Sequence, residues 1–134
     1  MELKPITPTA KGPASTFTGD VYVNPIYRGQ EPSRMIVSLV RFTPGARTNW
    51  HSHAVGQTLH VTDGTGLVQT RDGKTIRMRP GDTIYTRPGE EHWHGATAGN
   101  FMCHLAMLEG VPGGDGTTWL EPVTKEQYQA ANEQ

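Results

Sequence analysis

The stretch Gly45–Gly64, GARTNWHSHAVGQTLHVTDG, decides how this chain is read. It sets His51 and His53 two positions apart and Gln57 four positions beyond them. Side chains two apart on a strand share a face, so both imidazoles can close on one ion, with the Gln57 amide oxygen as a further donor. A second stretch, PGDTIYTRPGEEHWH at 80–94, delivers His92 and, on the same face, His94. All six histidines, His51, His53, His60, His92, His94 and His104, fall between positions 51 and 104. Three or four converging imidazoles suit a first-row transition metal, so a metal site is expected and the fold is read around it.

Composition narrows the rest. The 134 residues fit one domain with no room for a second catalytic one. Twelve Lys and Arg against 13 Asp and Glu give a net charge of -1, which favours neither a nucleic acid nor a membrane surface as partner. The single cysteine, Cys103, rules out an internal disulfide, and its apolar neighbours predict a buried, inert thiol in a reducing compartment. The N-terminal stretch lacks an apolar signal core and no run approaches a membrane span, so a cytosolic protein is expected.

Sixteen Gly and ten Pro, set among short runs rich in Val, Ile, Thr, Tyr and Phe, predict an all-β chain with tight turns. Residues 1–19 read as an extended arm that adds an edge strand or crosses to a neighbouring subunit. Residues 20–27 read as a strand stopped by Asn24-Pro25, and 34–42 as the strongest strand, with Ile36, Ser38 and Val40 on one face. Asp63-Gly64-Thr65 predicts a hairpin between 57–62 and 66–70, and Asp72-Gly73 a second turn leading to 74–78. The run 101–108 closes the series. Beyond Val123, Thr124 with Gln127 three residues later predicts a capping box opening a short helix.

The motifs resemble the two signatures of the cupin family, G-x5-H-x-H-x3,4-E-x6-G and G-x5-P-x-G-x2-H-x3-N. The first is met at Gly45, His51, His53 and Gly64 with Gln57 in the glutamate position, the second at Gly81, Gly89 and His92 with Arg87 replacing the proline. The resemblance implies a single-domain cupin, an antiparallel jelly-roll barrel with its core at about 34–108, an N-terminal arm and strands over 1–33, and a C-terminal tail and helix over 109–134. The chain is also similar, nearly end to end, to the cupin-type bacterial hydroxynitrile lyases, which bind manganese. The matching strings are KGPAxxFTG at 11–19, F-x-P-G-A-R-T-x-W-H-x-H at 42–53, PGE-x-HWHGA at 88–96 and W-x-E-x-V-T-x-E-Q-Y at 119–128. Leu108 is a departure, because a polar side chain stands there in such a lyase.

This resemblance implies a lyase that cleaves or forms a cyanohydrin such as (R)-mandelonitrile. Its site would hold Mn2+, or alternatively Fe2+, Ni2+ or Zn2+, on His51, His53, Gln57 and His92. Gln57 is otherwise a hydrogen-bonding strand residue. His94 is read as the general base, or else as a group behind the ligands. His104 is read as a second proton carrier or a cyanide-holding donor, or else as a buried histidine bonded to a carbonyl. Ser38, Val40, Phe42, Leu59 and Leu108 are expected to shape an apolar pocket, with Thr70 beside them. His60, of opposite parity to Gln57, is expected to face away. Arg47, Arg77, Arg79 and Arg87 are expected in solvated positions, and Trp50 and Trp93 in packing. A cupin dioxygenase using Fe or Mn and oxygen, and a non-enzymatic small-molecule-binding cupin, are the alternatives. A homodimer or homotetramer is expected.

Overall fold

In a computed structural model describing all 134 residues, the chain forms two antiparallel sheets that close around a core, with one short helix outside. The strands are β1 (Ala10–Lys11), β2 (Phe17–Thr18), β3 (Val21–Arg28), β4 (Met35–Phe42), β5 (Arg47–Thr48), β6 (His51–His53) and β7 (Gln57–Gly64). There follow β8 (Gly66–Thr70), β9 (Thr75–Met78), β10 (Thr83–Thr86), β11 (His92–Ala96), β12 (Met102–Glu109) and β13 (Thr117–Trp119), then α1 (Lys125–Asn132). No helix is long and apolar enough to cross a membrane.

The first sheet runs β1-β3-β4-β12-β7-β10. In the second, β11 lies between β8 on one side and β5 and β6 on the other, so residues 47–53 form one interrupted strand. Beyond them, β2 extends β5 and β13 extends β6, while β9 extends β8. The inner faces meet in an apolar cluster that includes Val21, Val40, Phe42, Leu59 and Met102. Alternation along β11 sends His92 and His94 inward and Trp93 outward. Trp93 packs there with Trp50 and Leu67 beneath Val123, Tyr128 and Ala131, so α1 covers the outer face of the second sheet.

The capping box forms as expected: Thr124 accepts from the Gln127 N–H, and the Gln127 side chain accepts from the Thr124 N–H. Residues 35–42 and 102–109 pair along their full length, in register from Met35↔Glu109 to Phe42↔Met102. The arm adds an edge strand to its own chain, β1 pairing with β3.

Two expectations about the strands fail. Asp63-Gly64-Thr65 does not close a hairpin, because β7 pairs with β12 and β10 while β8 pairs with β11 and β9. It is a corner where the chain changes sheets. Gly64 turns it at φ 76°, where a Cβ would run into the Phe101 carbonyl. Nor does Asn24-Pro25 stop its strand. β3 continues to Arg28 through an irregularity between Pro25 and Tyr27, and β1 reaches only Tyr22 and Val23, so no neighbour asks Pro25 for an N–H on that edge.

Candidate metal centre

His51 and His53 come from β6, and His92 from the facing position on β11, where it pairs with His51. One ring nitrogen from each lies within 4.8 Å of the other two, and all three residues are buried. The approach depends on Gly95, where β11 crosses β5 so closely that a Cβ would overlap the Ala46 carbonyl and Arg47. Each imidazole spends its Nδ1 on a protein partner. That of His51 lies 2.9 Å from the Asn49 carbonyl, that of His92 2.9 Å from the Glu90 carbonyl, and that of His53 2.9 Å from the Thr117 hydroxyl. A carbonyl only accepts, so His51 and His92 carry their proton on Nδ1 and keep an Nε2 lone pair.

These groups fit a divalent cation. The Nε2 atoms of His53 and His92 and the Oε1 of Gln57 are buried and have no hydrogen-bond partner, which a protein rarely leaves uncompensated. The donors are neutral as well. Burial first, and the neighbouring imidazoles second, hold His51 well below the usual histidine range and bring His53 down to about 4, while burial also lowers His92. Coordination requires that state.

Beside the triad lies a cavity of about 250 Å3, small even for a ligand site. Its wall includes His51, His53 and Gln57 together with His94 and His104. The His104 Nε2 is 3.0 Å from the His94 Nδ1, and both residues are fully enclosed. The other nitrogen of each, His94 Nε2 and His104 Nδ1, has no partner. Burial brings His104 down to about 4; burial first, then the adjacent imidazoles, His104 foremost, hold His94 well below the usual histidine range. The Phe42 ring sits 5.3 Å from that of His104 and 5.9 Å from that of His94.

Ser38, Val40, Phe42 and Leu108 line this cavity as the parity of their strands requires. Leu59 does not. It is fully buried, but the strand carries it one pleat past Gln57 into the apolar cluster of Val21 and Met102. Thr70 is also outside, its hydroxyl turned to Asp72. His60 faces away and pairs with Thr83. Cys103 is buried, its thiol pushed up by desolvation. Arg77, Arg79 and Arg87 are exposed, whereas Arg47 is half-buried, 4.2 Å over the Tyr128 ring and bonded to the Gly45 and Val123 carbonyls.

Sequence reasoning missed three residues that touch the histidines of the site. The Thr48 hydroxyl accepts from the His94 N–H at 3.2 Å and lies 3.4 Å from the His51 Nδ1. Thr117 meets His53, and Trp119 lies over the His51 ring with centroids 4.6 Å apart. Parity points Thr48 away from His51, three positions on, and only the break between β5 and β6 brings both inward. Thr117 and Trp119 follow a glycine-rich turn and carry no periodic signal.

A small antiparallel barrel with histidines from two facing strands is the architecture of the cupins, and the cupin domain family (Cupin_2) matches residues 38–108. The chain belongs to this family. It is 44% identical over 130 residues to a protein named (R)-mandelonitrile lyase from Granulicella tundricola, covering 96% of this chain and 98% of that one. A crystal structure of a cupin-like protein from Thermotoga maritima superposes with a TM-score of 0.86 at 38% identity, over 92% of this chain and 93% of that one. A cupin-2 domain from Rhodospirillum rubrum shares the fold at a TM-score of 0.71 and 13% identity, over 100% of this chain and 86% of that one.

Proposed function

We propose that this protein is a metal-dependent hydroxynitrile lyase acting on a cyanohydrin of the mandelonitrile type. One observation carries the reading: two of the three clustered neutral imidazoles, His51 and His53, line a single small cavity together with a second imidazole pair, His94 and His104, that has buried, unpartnered nitrogens. The full-length similarity to a protein named for this reaction supports it.

His51, His53 and His92 would hold the ion, with the Gln57 amide oxygen as the fourth protein donor. When bound, a divalent ion, manganese in this reading, supplies Lewis-acid stabilisation of the cyanohydrin oxygen as negative charge develops on it. Because all four donors are neutral, the protein does not cancel the cation's charge. In the cleavage direction the His94 Nε2 takes the hydroxyl proton. The bond to the nitrile carbon breaks, its electron pair leaving on cyanide as the carbonyl forms, and the imidazolium then returns the proton to cyanide. Aldehyde and hydrogen cyanide are the products. For that role the His94 Nδ1–H donates to the His104 Nε2, leaving the His94 Nε2 lone pair free. Burial keeps His94 neutral at pH 7 and makes its conjugate acid a ready donor to cyanide. Val40, Phe42 and Leu108 keep water from the reacting centre and offer apolar contact to an aryl group.

The other face of the first sheet presents half-buried Val37, Leu39, Leu105 and Met107, and a homodimer or homotetramer assembled on it belongs to the same proposal. A monomer by light scattering would remove that part.

The direct test is cyanide release from mandelonitrile by protein stripped with a chelator and then reloaded with Mn2+, Fe2+, Ni2+ or Zn2+. Stripped protein should be inactive and Mn2+ should restore turnover. Reloaded protein no faster than stripped protein would overturn the lyase reading, and oxygen uptake by an Fe2+ form with a diketone or flavonol would put a dioxygenase in its place.

A further inference from the structure

The three triad histidines are not oriented in the same way. His51 and His92 each rest on the carbonyl two residues before them, Asn49 and Glu90, an acceptor that the main chain supplies whatever the side chain there. His53 has no such partner. Its Nδ1 meets the hydroxyl of Thr117, 64 residues away, at 2.9 Å.

Thr117 is well placed to act. It sits opposite His53 in the pairing of β13 with β6, and its own N–H is fixed by the Asp115 carboxylate at 2.9 Å. Its β-branch restricts χ1, so the hydroxyl is presented in a narrow range of positions. Two residues on, Trp119 pairs with His51 and lays its ring over that imidazole at an interplanar angle of 35°. Strand β13 has three residues, pairs with β6 alone and still touches two of the three candidate ligands.

We infer that Thr117 is the positioning residue for His53, and that metal affinity depends on the edge strand β13 through this one hydrogen bond. The inference rests on the reading that His51, His53 and His92 hold a divalent ion. Removing the hydroxyl leaves a buried ring nitrogen without its partner and frees the imidazole to turn, so the Nε2 lone pair no longer points where the other two converge.

The test is Mn2+ binding by calorimetry to metal-free wild type, Thr117→Val and Thr117→Ser, with His92→Ala as the site control. Thr117→Val should weaken binding by about 10–100-fold. Thr117→Ser, which restores a hydroxyl, should stay within about threefold of wild type. Imidazole 15N shifts of the metal-free proteins give a readout that general loosening does not: His53 should change in Thr117→Val while His51 and His92 do not. Wild-type affinity and an unchanged His53 signal in Thr117→Val, with binding abolished in His92→Ala, would overturn the role of Thr117 and leave the metal site standing. Equal Mn2+ binding by wild type and His92→Ala would overturn the metal reading and this inference with it.

Discussion

The His94 Nδ1 and the His104 Nε2 lie 3.0 Å apart, although the two residues belong to different sheets. Their hydrogen bond crosses the barrel interior between β11 and β12, and it leaves one unpartnered nitrogen at each end. A pair of this kind is expensive to bury for packing alone. It lines the same cavity as His51 and His53, and the proposed lyase mechanism assigns it the proton transfer.

His94→Ala should therefore retain a full equivalent of metal and lose about 10²–10⁴-fold in kcat for cyanohydrin cleavage. His104→Phe should lose less, because it removes the group that orients His94 and not the base itself. Metal content by mass spectrometry beside initial rates separates the two effects. Wild-type kcat in a metal-replete His94→Ala would remove the base assignment.

The buried imidazoles also set how stability depends on pH. Burial lowers all five, His53 and His104 to about 4, whereas in the unfolded chain each returns to about 6.5. Between those values the unfolded chain binds more protons, so stability is complete above about pH 6.5 and is lost as pH falls towards 4. His104 alone contributes on the order of 3 kcal/mol across that window. Urea midpoints of the metal-free protein should fall between pH 7 and pH 5, and His104→Leu should flatten the slope. A midpoint independent of pH in that range would contradict the burial of neutral imidazoles.

Gly64 and Gly73 have similar positive φ, 76° and 89°, but only Gly64 faces backbone, the Phe101 carbonyl; a Cβ on Gly73 meets nothing within 4 Å. Gly64→Ala should cost well over about 1 kcal/mol, and Gly73→Ala close to the left-handed strain alone, about 1 kcal/mol. Thermal denaturation of the two variants measures the difference. Equal losses would mean that the corner between β7 and β8 relaxes.

The Tyr128 hydroxyl donates to the Ala96 carbonyl at 2.6 Å beneath α1, on the side of the second sheet away from the cavity. Tyr128→Phe should destabilise the protein by about 1–2 kcal/mol and leave Mn2+ affinity unchanged. Calorimetric titration and a denaturation curve on the same preparation check both halves.

Much of this was legible in the sequence because it depends on parity and spacing. Positions two apart put His51 with His53 and His92 with His94, and the same rule sent Trp93 outward; Thr124 with Gln127 marked the helix. What escaped was set by partners distant in sequence. The residues Asp63-Gly64-Thr65 signal a tight turn, but whether it joins neighbouring strands or changes sheets depends on the partners of β7 and β8. Pro25 is tolerated only because the arm strand stops short of it. Leu59 shares a face with Gln57, yet twist places it in the core. Thr117 reaches His53 across a glycine-rich turn whose geometry no periodicity records.

The lyase proposal is tested most directly by metal content and cyanide release from mandelonitrile, measured together on Mn2+-loaded wild type, His51→Ala and His94→Ala. Wild type should show metal and turnover, His51→Ala neither, and His94→Ala metal without turnover. Wild type that holds its metal and releases no cyanide, or His51→Ala that keeps both, would contradict it.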